Sequence, residues 1–249
     1  MAQVLSFQGL LALGHGDVTT ARACLEESLA LARSSRNLLS EAFVLNHLGD
    51  ATAMSGDLEA APAHYERSLL AFKTLNDPWG MGLAINSLAG VAWFSGDHEK
   101  ACALYTQSVA LARQAGDRWI VVRPLLGLLD ASWHQGDYAQ AKSLAIESLT
   151  LCRELGAKSG LLLSLSGAAG LFTACGHPAI AAQLLGAGDA LSDRIGFVSY
   201  AIDRMRHDRN LELTRSKLDE TALQAAWVIG QAMTPDLAVD YALEEMDRL

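Results

Sequence analysis

The sequence predicts an all-α chain, a solenoid of five helix hairpins with a 40-residue period and a C-terminal helical cap, and three observations carry that prediction. Gly followed by Asp or His recurs every 40 residues, at Gly16-Asp17, Gly56-Asp57, Gly96-Asp97, Gly136-Asp137 and Gly176-His177. A second stop, Arg36, Asn76, Gly116, Gly156 and Gly196, lies 20 residues after each of those glycines. Between stops, apolar residues recur at i, i+3 and i+4, the spacing of a helix with one buried stripe. A fixed period of this size marks a stack of similar units, in contrast to a globule with one central cleft.

The first hairpin opens with a short element, about a dozen residues before Gly14, so the chain reads as starting inside a helix that is longer in every other repeat. The second hairpin is the clearest: a helix from Leu38 to Met54 stops at Gly56, which reaches the left-handed conformation without a Cβ penalty. Asp57 then offers its carboxylate to the free amides of a second helix, which ends at Asn76, a residue that tolerates the same conformation. Asn37, Asp77-Pro78 and Asp117 are start signals, with Pro78 where a missing N–H costs nothing. In the fifth repeat His177-Pro178 replaces the Asp cap. Pro62 and Pro124 fall inside helices and are expected to kink them.

Columns run through the array. Ala21, Ala61, Ala101, Ala141 and Ala181 share one register, where a small side chain lets helices approach; Leu25, Tyr65, Tyr105, Ala145 and Leu185 stand four residues on. In the first helices Leu45, Ile85, Leu125 and Leu165 align, as do Leu48, Leu88 and Leu128. Ser159 to Gly188 carries no Asp, Glu, Lys or Arg, yet its serines and glycines, its stop at His177-Pro178 and its register indicate a helix buried on most sides and not a membrane span. After Gly196 the period breaks. Helices are expected near Val198 to Ser216, Glu220 to Ala232 and Pro235 to Met246, with Asp219 and Thr234 as N-caps. Residues 1–196 are thus five hairpins, the first truncated, and 197–249 a cap over the exposed end.

Composition excludes several function classes. Of 249 residues, 28 are acidic and 19 are Lys or Arg, a net charge of −9, which argues against a phosphate-binding surface and so against nucleic acid as a partner. Arg204, Arg206, His207 and Arg209 are interleaved with Asp203 and Asp208 and read as a solvated helix face. Cys24, Cys102, Cys152 and Cys175 form no Cys-x-x-Cys pair and have no His at ligand spacing, so no metal or disulfide framework is indicated; buried reduced thiols in a cytoplasmic protein are expected. No signal peptide is visible. No Gly-x-x-x-x-Gly-Lys-Ser/Thr loop occurs, so no nucleotide or other cofactor is expected.

The columns resemble the tetratricopeptide repeat, with Leu48-Gly49, Gly56-Asp57, Ala61 and Tyr65 at that family's positions, and the likeness recurs five times over residues 1–196. It departs in its period, 40 instead of the family's 34, and in lacking the closing proline. The extra length belongs in helices of 17 to 18 residues, about 26 Å each at 1.5 Å per residue. Such long repeats, together with Ala181 to Gly196 and Leu218 to Leu243, resemble the C-terminal sensor arms of bacterial multidomain signal-transduction ATPases, including LuxR-type and cyclase-like regulators, in which the ATPase lies upstream.

The resemblance implies a right-handed superhelix whose first helices line a concave groove that takes a protein or peptide segment. The positions 13, 10, 6, 3 and 2 residues before each turn glycine then face it, and the strongest candidates are Phe43, Asn46, Asp50, Asn86, Trp93, Phe94, Arg123, Asp130, Trp133 and His134. Asn46 and Asn86 share a column, and a primary amide both donates and accepts, so the two could grip an extended backbone. The alternative is that each bonds its own neighbours. Trp93 and Trp133 share another column, as groove anchors or as core. Asp130 and His134 lie one turn apart, as a solvated pair or as an oriented general base, and Arg123 could take a ligand carboxylate.

The expected function is therefore a non-catalytic binding and sensing arm of a larger ATP-binding regulator, with that ATPase as a partner in cis. The alternative is a freestanding scaffold that self-associates, for example as a homodimer through the convex side or the truncated first repeat. A hydrolase resting on Asp130 and His134 is a third.

Overall fold

The computed structural model describes residues 1–116, 118–197, 199 and 201–249, and all regular structure among them is helical. The repeats supply α1 (Ala2–Gly14), α2 (Val18–Ser34), α3 (Leu38–Met54), α4 (Ala61–Thr74), α5 (Pro78–Phe94), α6 (His98–Gln114), α7 (Val122–His134), α8 (Tyr138–Glu154), α9 (Lys158–Ala174) and α10 (Pro178–Ile195). Three more follow: α11 (Ala201–Arg215), α12 (Glu220–Gln231) and α13 (Pro235–Asp247). The chain divides into two compact units, Met1–Ile120 with Val198–Ile202, and Val121–Phe197 with Asp203–Leu249.

Both sets of stops take the conformation their residues suggest. The turn glycines Gly16, Gly56, Gly96, Gly136 and Gly176 have φ between 78° and 87°, and the second stops Arg36, Asn76, Gly116, Gly156 and Gly196 lie between 52° and 71°. Past each turn glycine the next N–H reaches back to a helix carbonyl, as from Asp97 to Ala92 at 2.9 Å, so the last carbonyls are satisfied as the chain reverses. Asp17, Asp57, Asp97 and Asp137 each accept the amide three residues on, at 2.9 to 3.2 Å. Asn37, Asp77, Asp219 and Thr234 cap in the same manner. Asp117, expected as a start, and Val198, expected to begin the eleventh helix, lie outside the described residues.

The two prolines expected inside helices lie in first turns instead. Pro62 is the second residue of α4 and Pro124 the third of α7, because each helix starts later than its counterparts. In a first turn the missing N–H is one that would have no partner in the helix anyway, so these prolines remove no bond from the helices they begin.

In the first unit (α1 to α6) the alanine register is sealed: Ala21, Ala61 and Ala101 have no exposed surface, and Leu25, Tyr65 and Tyr105 fill the space beside them. A serine register adds polar pins. The hydroxyls of Ser28, Ser68 and Ser108 donate to the carbonyls of Ala2, Ala42 and Gly82 at 2.7 to 2.8 Å, each 26 residues back. In the second unit Ser148 instead donates to Ala145 of its own helix at 3.0 Å, in the repeat whose first helix is shortened.

In the second unit α9 is buried from Gly160 to Thr173, packed by α7, α8, α10 and α13. That enclosure accounts for its lack of charge. No described helix is long and apolar enough to cross a membrane. Of the four free cysteines only Cys152 is buried; Cys24, Cys102 and Cys175 are partly exposed, contrary to the expectation for all four. Burial pushes the Cys152 thiol up to about 11.

Candidate functional site

The sequence of α11, AIDRMRHDRNLELTR, would ordinarily turn its charges to water. Instead Asp203, Arg206, Asn210 and Thr214, at i, i+3, i+7 and i+11, are its buried stripe, each at most 3% exposed. The basic cluster expected to be a solvated face is therefore split. Arg204 and Asp208 are exposed, while Arg206 is enclosed.

What encloses it is the expected groove column of α7 and α9. Asp130 receives three donors: Arg206 Nε at 2.8 Å, Arg209 Nη2 at 2.9 Å and its neighbour Trp133 Nε1 at 3.3 Å. Asp203 is held by Arg206 Nη1 at 3.1 Å and lies 2.7 Å from Arg123 Nη2. Arg123 and Asp130 are themselves 7% and 2% exposed, so this is a buried network of alternating charge. Buried charges persist only when paired in this way.

On α9 the contacts continue. Asn210 Nδ2 donates to the Ser166 carbonyl at 2.9 Å, Ser166 Oγ lies 3.2 Å from His207 Nδ1, and the Thr173 and Thr214 hydroxyls are 2.9 Å apart. A Cβ on Gly170 would come 2.9 Å from Asn210 Oδ1. The bare backbone at that position is what lets the Asn210 amide sit against α9. Arg209 also stacks over the Trp133 ring, 5.3 Å from its centroid.

These contacts correct two expectations. Arg123 is committed to Asp203 and is not held ready for a ligand carboxylate. Asp130 is no solvated side chain, because it is buried with its oxygens serving Arg206, Arg209 and Trp133. His134 stands exposed, its ring beside that of Trp133 at 5.8 Å.

The first unit treats its column differently. Asn46 and Asn86 are 1% and 6% exposed on α3 and α5, which touch. Neither amide atom of Asn46 has a hydrogen-bond partner among the described residues, nor has Asn86 Oδ1. Asp50 accepts from Tyr65 Oη at 2.9 Å, and burial beside that carboxylate drives the Tyr65 hydroxyl well above its ordinary pKa. Trp93 is 5% exposed with its ring 4.3 Å from that of His98. Phe43 and Phe94 are half-buried, Phe43 against Phe72. A Cβ on Gly90 would meet Ile202 at 2.4 Å, so in this unit too the column is partly covered.

Sequence reasoning missed Asp203, Arg206, Asn210 and Thr214. The available signal was their spacing: a polar stripe on one helical face, opposite two charges, Arg123 and Asp130, standing at expected groove positions.

A family model described as "Tetratricopeptide repeat" matches residues 1–73 and 81–154. The chain belongs to the tetratricopeptide repeat (TPR) family. Its repeat helices, α1 to α10 among the described residues, match the hairpin pattern of a TPR-like helical solenoid, and a TPR array is in general a protein-interaction module. Among solved structures it is similar to a tetratricopeptide repeat protein from Parabacteroides merdae ATCC 43184, at 14% identity over 92% of this chain and 98% of that one, with a TM-score of 0.35. No curated protein matches. The long TPR units follow from helices of 17 residues in α2, α3, α5, α6, α8 and α9.

Proposed function

We propose that this TPR chain is a non-catalytic module that binds a polypeptide segment through the first unit's Asn46 and Asn86. The observation that supports this reading is the state of their side-chain amides. A buried polar atom without a hydrogen bond costs about 1–3 kcal/mol, and three such atoms stand on two adjacent repeats. An extended backbone alternates donors and acceptors, and so offers what a pair of primary amides needs. Phe43, Trp93 and Phe94 supply the apolar flank. The test is a displayed decapeptide library selected on the wild-type chain: Asn46→Ala with Asn86→Ala abolishes capture of the selected peptides while the thermal midpoint does not fall. A midpoint lowered by many degrees would make the pair structural and remove the reading.

In the cell this module acts as the sensing arm of a larger ATP-binding signalling or transcriptional regulator in the cytoplasm, switching an ATPase in cis when a partner binds. The repeat length and the C-terminal segments support that placement. Coding sequence upstream of Met1 with a phosphate-binding loop would support it, and a stop codon there would end it.

A second reading, a self-associating scaffold, is favoured by α1. Val4, Phe7 and Leu11, at i, i+3 and i+7, are 57%, 62% and 39% exposed. Their counterparts 40 residues on, Val44, His47 and Ala51, are buried. Sedimentation across a concentration series should then show a dimer that Phe7→Glu dissolves; a monomer at all concentrations excludes it.

A further inference from the structure

The buried face of α11 is the wrong face for a helix that exists only to close a core. Beyond Ala201 and Ile202 at its start, which are buried, its apolar residues Met205, Leu211 and Leu213 are half-buried, while Asp203, Arg206, Asn210 and Thr214 are enclosed. Each of the four meets a chemically matched group on α7 or α9: Asp203 meets Arg123, Arg206 meets Asp130, Asn210 meets the Ser166 carbonyl and Thr214 meets Thr173. The match is positional as well as electrostatic, since it uses one residue per helical turn on α11. Specific polar readout of this kind is how interfaces discriminate partners, whereas a buried ion pair adds little net stability over apolar packing. Short stretches without helix flank α11, at Gly196–Phe197 and from Ser216 to Asp219.

We propose that in the second unit the α7 and α9 column is a receptor for a helix bearing Asp, Arg, Asn and Thr at i, i+3, i+7 and i+11, with a second Arg at i+6. The helix α11 is its resident ligand in cis, and a partner protein that presents the same pattern takes its place. Tethering gives α11 an effective concentration in the millimolar range, so the site is closed to weak competitors and opens only to a helix that reproduces the pattern. This proposal does not rest on Asn46 and Asn86, and the two can fail separately.

The first experiment releases α11 by charge. In Arg206→Glu with Arg209→Glu, two carboxylates confront Asp130 and the cis helix loses its site. A fluorescein-labelled peptide of residues 201–217 is expected to bind this chain at least tenfold more tightly than it binds the wild type. The same peptide carrying Arg206→Glu should not bind. A variant that keeps its helical circular dichroism yet takes up no peptide overturns the proposal. So does uptake that is indifferent to the peptide's own charge reversal, or exchange of α11 between copies as a dimer in place of peptide binding.

A second measurement needs no destabilised chain. Thr173→Cys with Thr214→Cys, made on Cys175→Ala, places two thiols where the hydroxyls now touch, so oxidation pins α11. In the reduced chain amide exchange over residues 203–214 should be at least tenfold faster than over α9, and oxidation should slow α11 alone. Equal exchange of α11 and α9 in the reduced chain would make α11 permanent core and sink the idea.

Discussion

In the first unit the TPR groove positions hold Asn46 and Asn86 with amide atoms that find no hydrogen bond among the described residues, whereas in the second unit they hold Arg123, Asp130 and Ser166, the last in the asparagines' own register, each engaged by a residue of α11. The repeats beneath are alike in caps, turns and alanine register. What differs is whether the chain itself supplies the complement to its polar column. One repeat framework can thus carry an unmet polar demand or a met one, and the unmet one destabilises the fold unless something binds.

Four measurements would break or sharpen that contrast. The largest effect is expected from Arg206→Ala, which leaves Asp130 and Asp203 short of a shared donor inside the second unit. Breaking a buried pair costs about 3–5 kcal/mol, read by urea unfolding. A loss under about 1 kcal/mol would show that the network is wet and the contrast overstated. Next is Asn46→Leu, close in volume and without polar atoms. It should stabilise the chain by about 1–2 kcal/mol while abolishing peptide capture, and destabilisation would mean that the amide is satisfied in solution.

The third concerns the stops. The first unit uses Arg36 and Asn76 at φ 52° where the second uses Gly156 and Gly196. Arg36→Gly should stabilise by about 0.5–1 kcal/mol and Gly156→Ala should cost about as much, both by chemical denaturation. The smallest is a pH effect at His64, whose pKa burial and then Arg67 hold below 6.5. The unfolded chain therefore binds the proton first, so this stabilisation is present above pH 6.5 and fades as the pH falls through the lower folded value. Thermal midpoints from pH 7.5 downward should decline less in His64→Leu than in the wild type.

Much of this was legible in the sequence because its causes are local. A positive φ falls on Gly or Asn for steric reasons, and an Asp after it caps the next helix, so turns, caps and registers follow from spacing alone. Even Arg36 was marked by register, although nothing about arginine favours that conformation. Pro62 and Pro124 misled because a helix start within three residues cannot be told from a helix interior when the preceding residues are themselves helix formers. The α11 network was hidden for a different reason. Arg206 meets Asp130 across 76 residues, and no local rule separates a charged stripe that faces water from one that faces its mirror in charge.

The serine register has a consequence for how such a chain can grow. Because Ser28, Ser68 and Ser108 each fix one hairpin by a single bond 26 residues back, and because Asn37 opens the second hairpin with its side-chain cap while Asn76 closes it with its left-handed backbone, residues 37–76 carry all their punctuation within themselves. They are a portable cassette. Duplicated in tandem, the segment brings its start, its turn, its pin and its stop, but it sets Ser40 where Gly80 now stands, and a Cβ there would meet Phe72 at 2.0 Å, so the packing at that one junction must change.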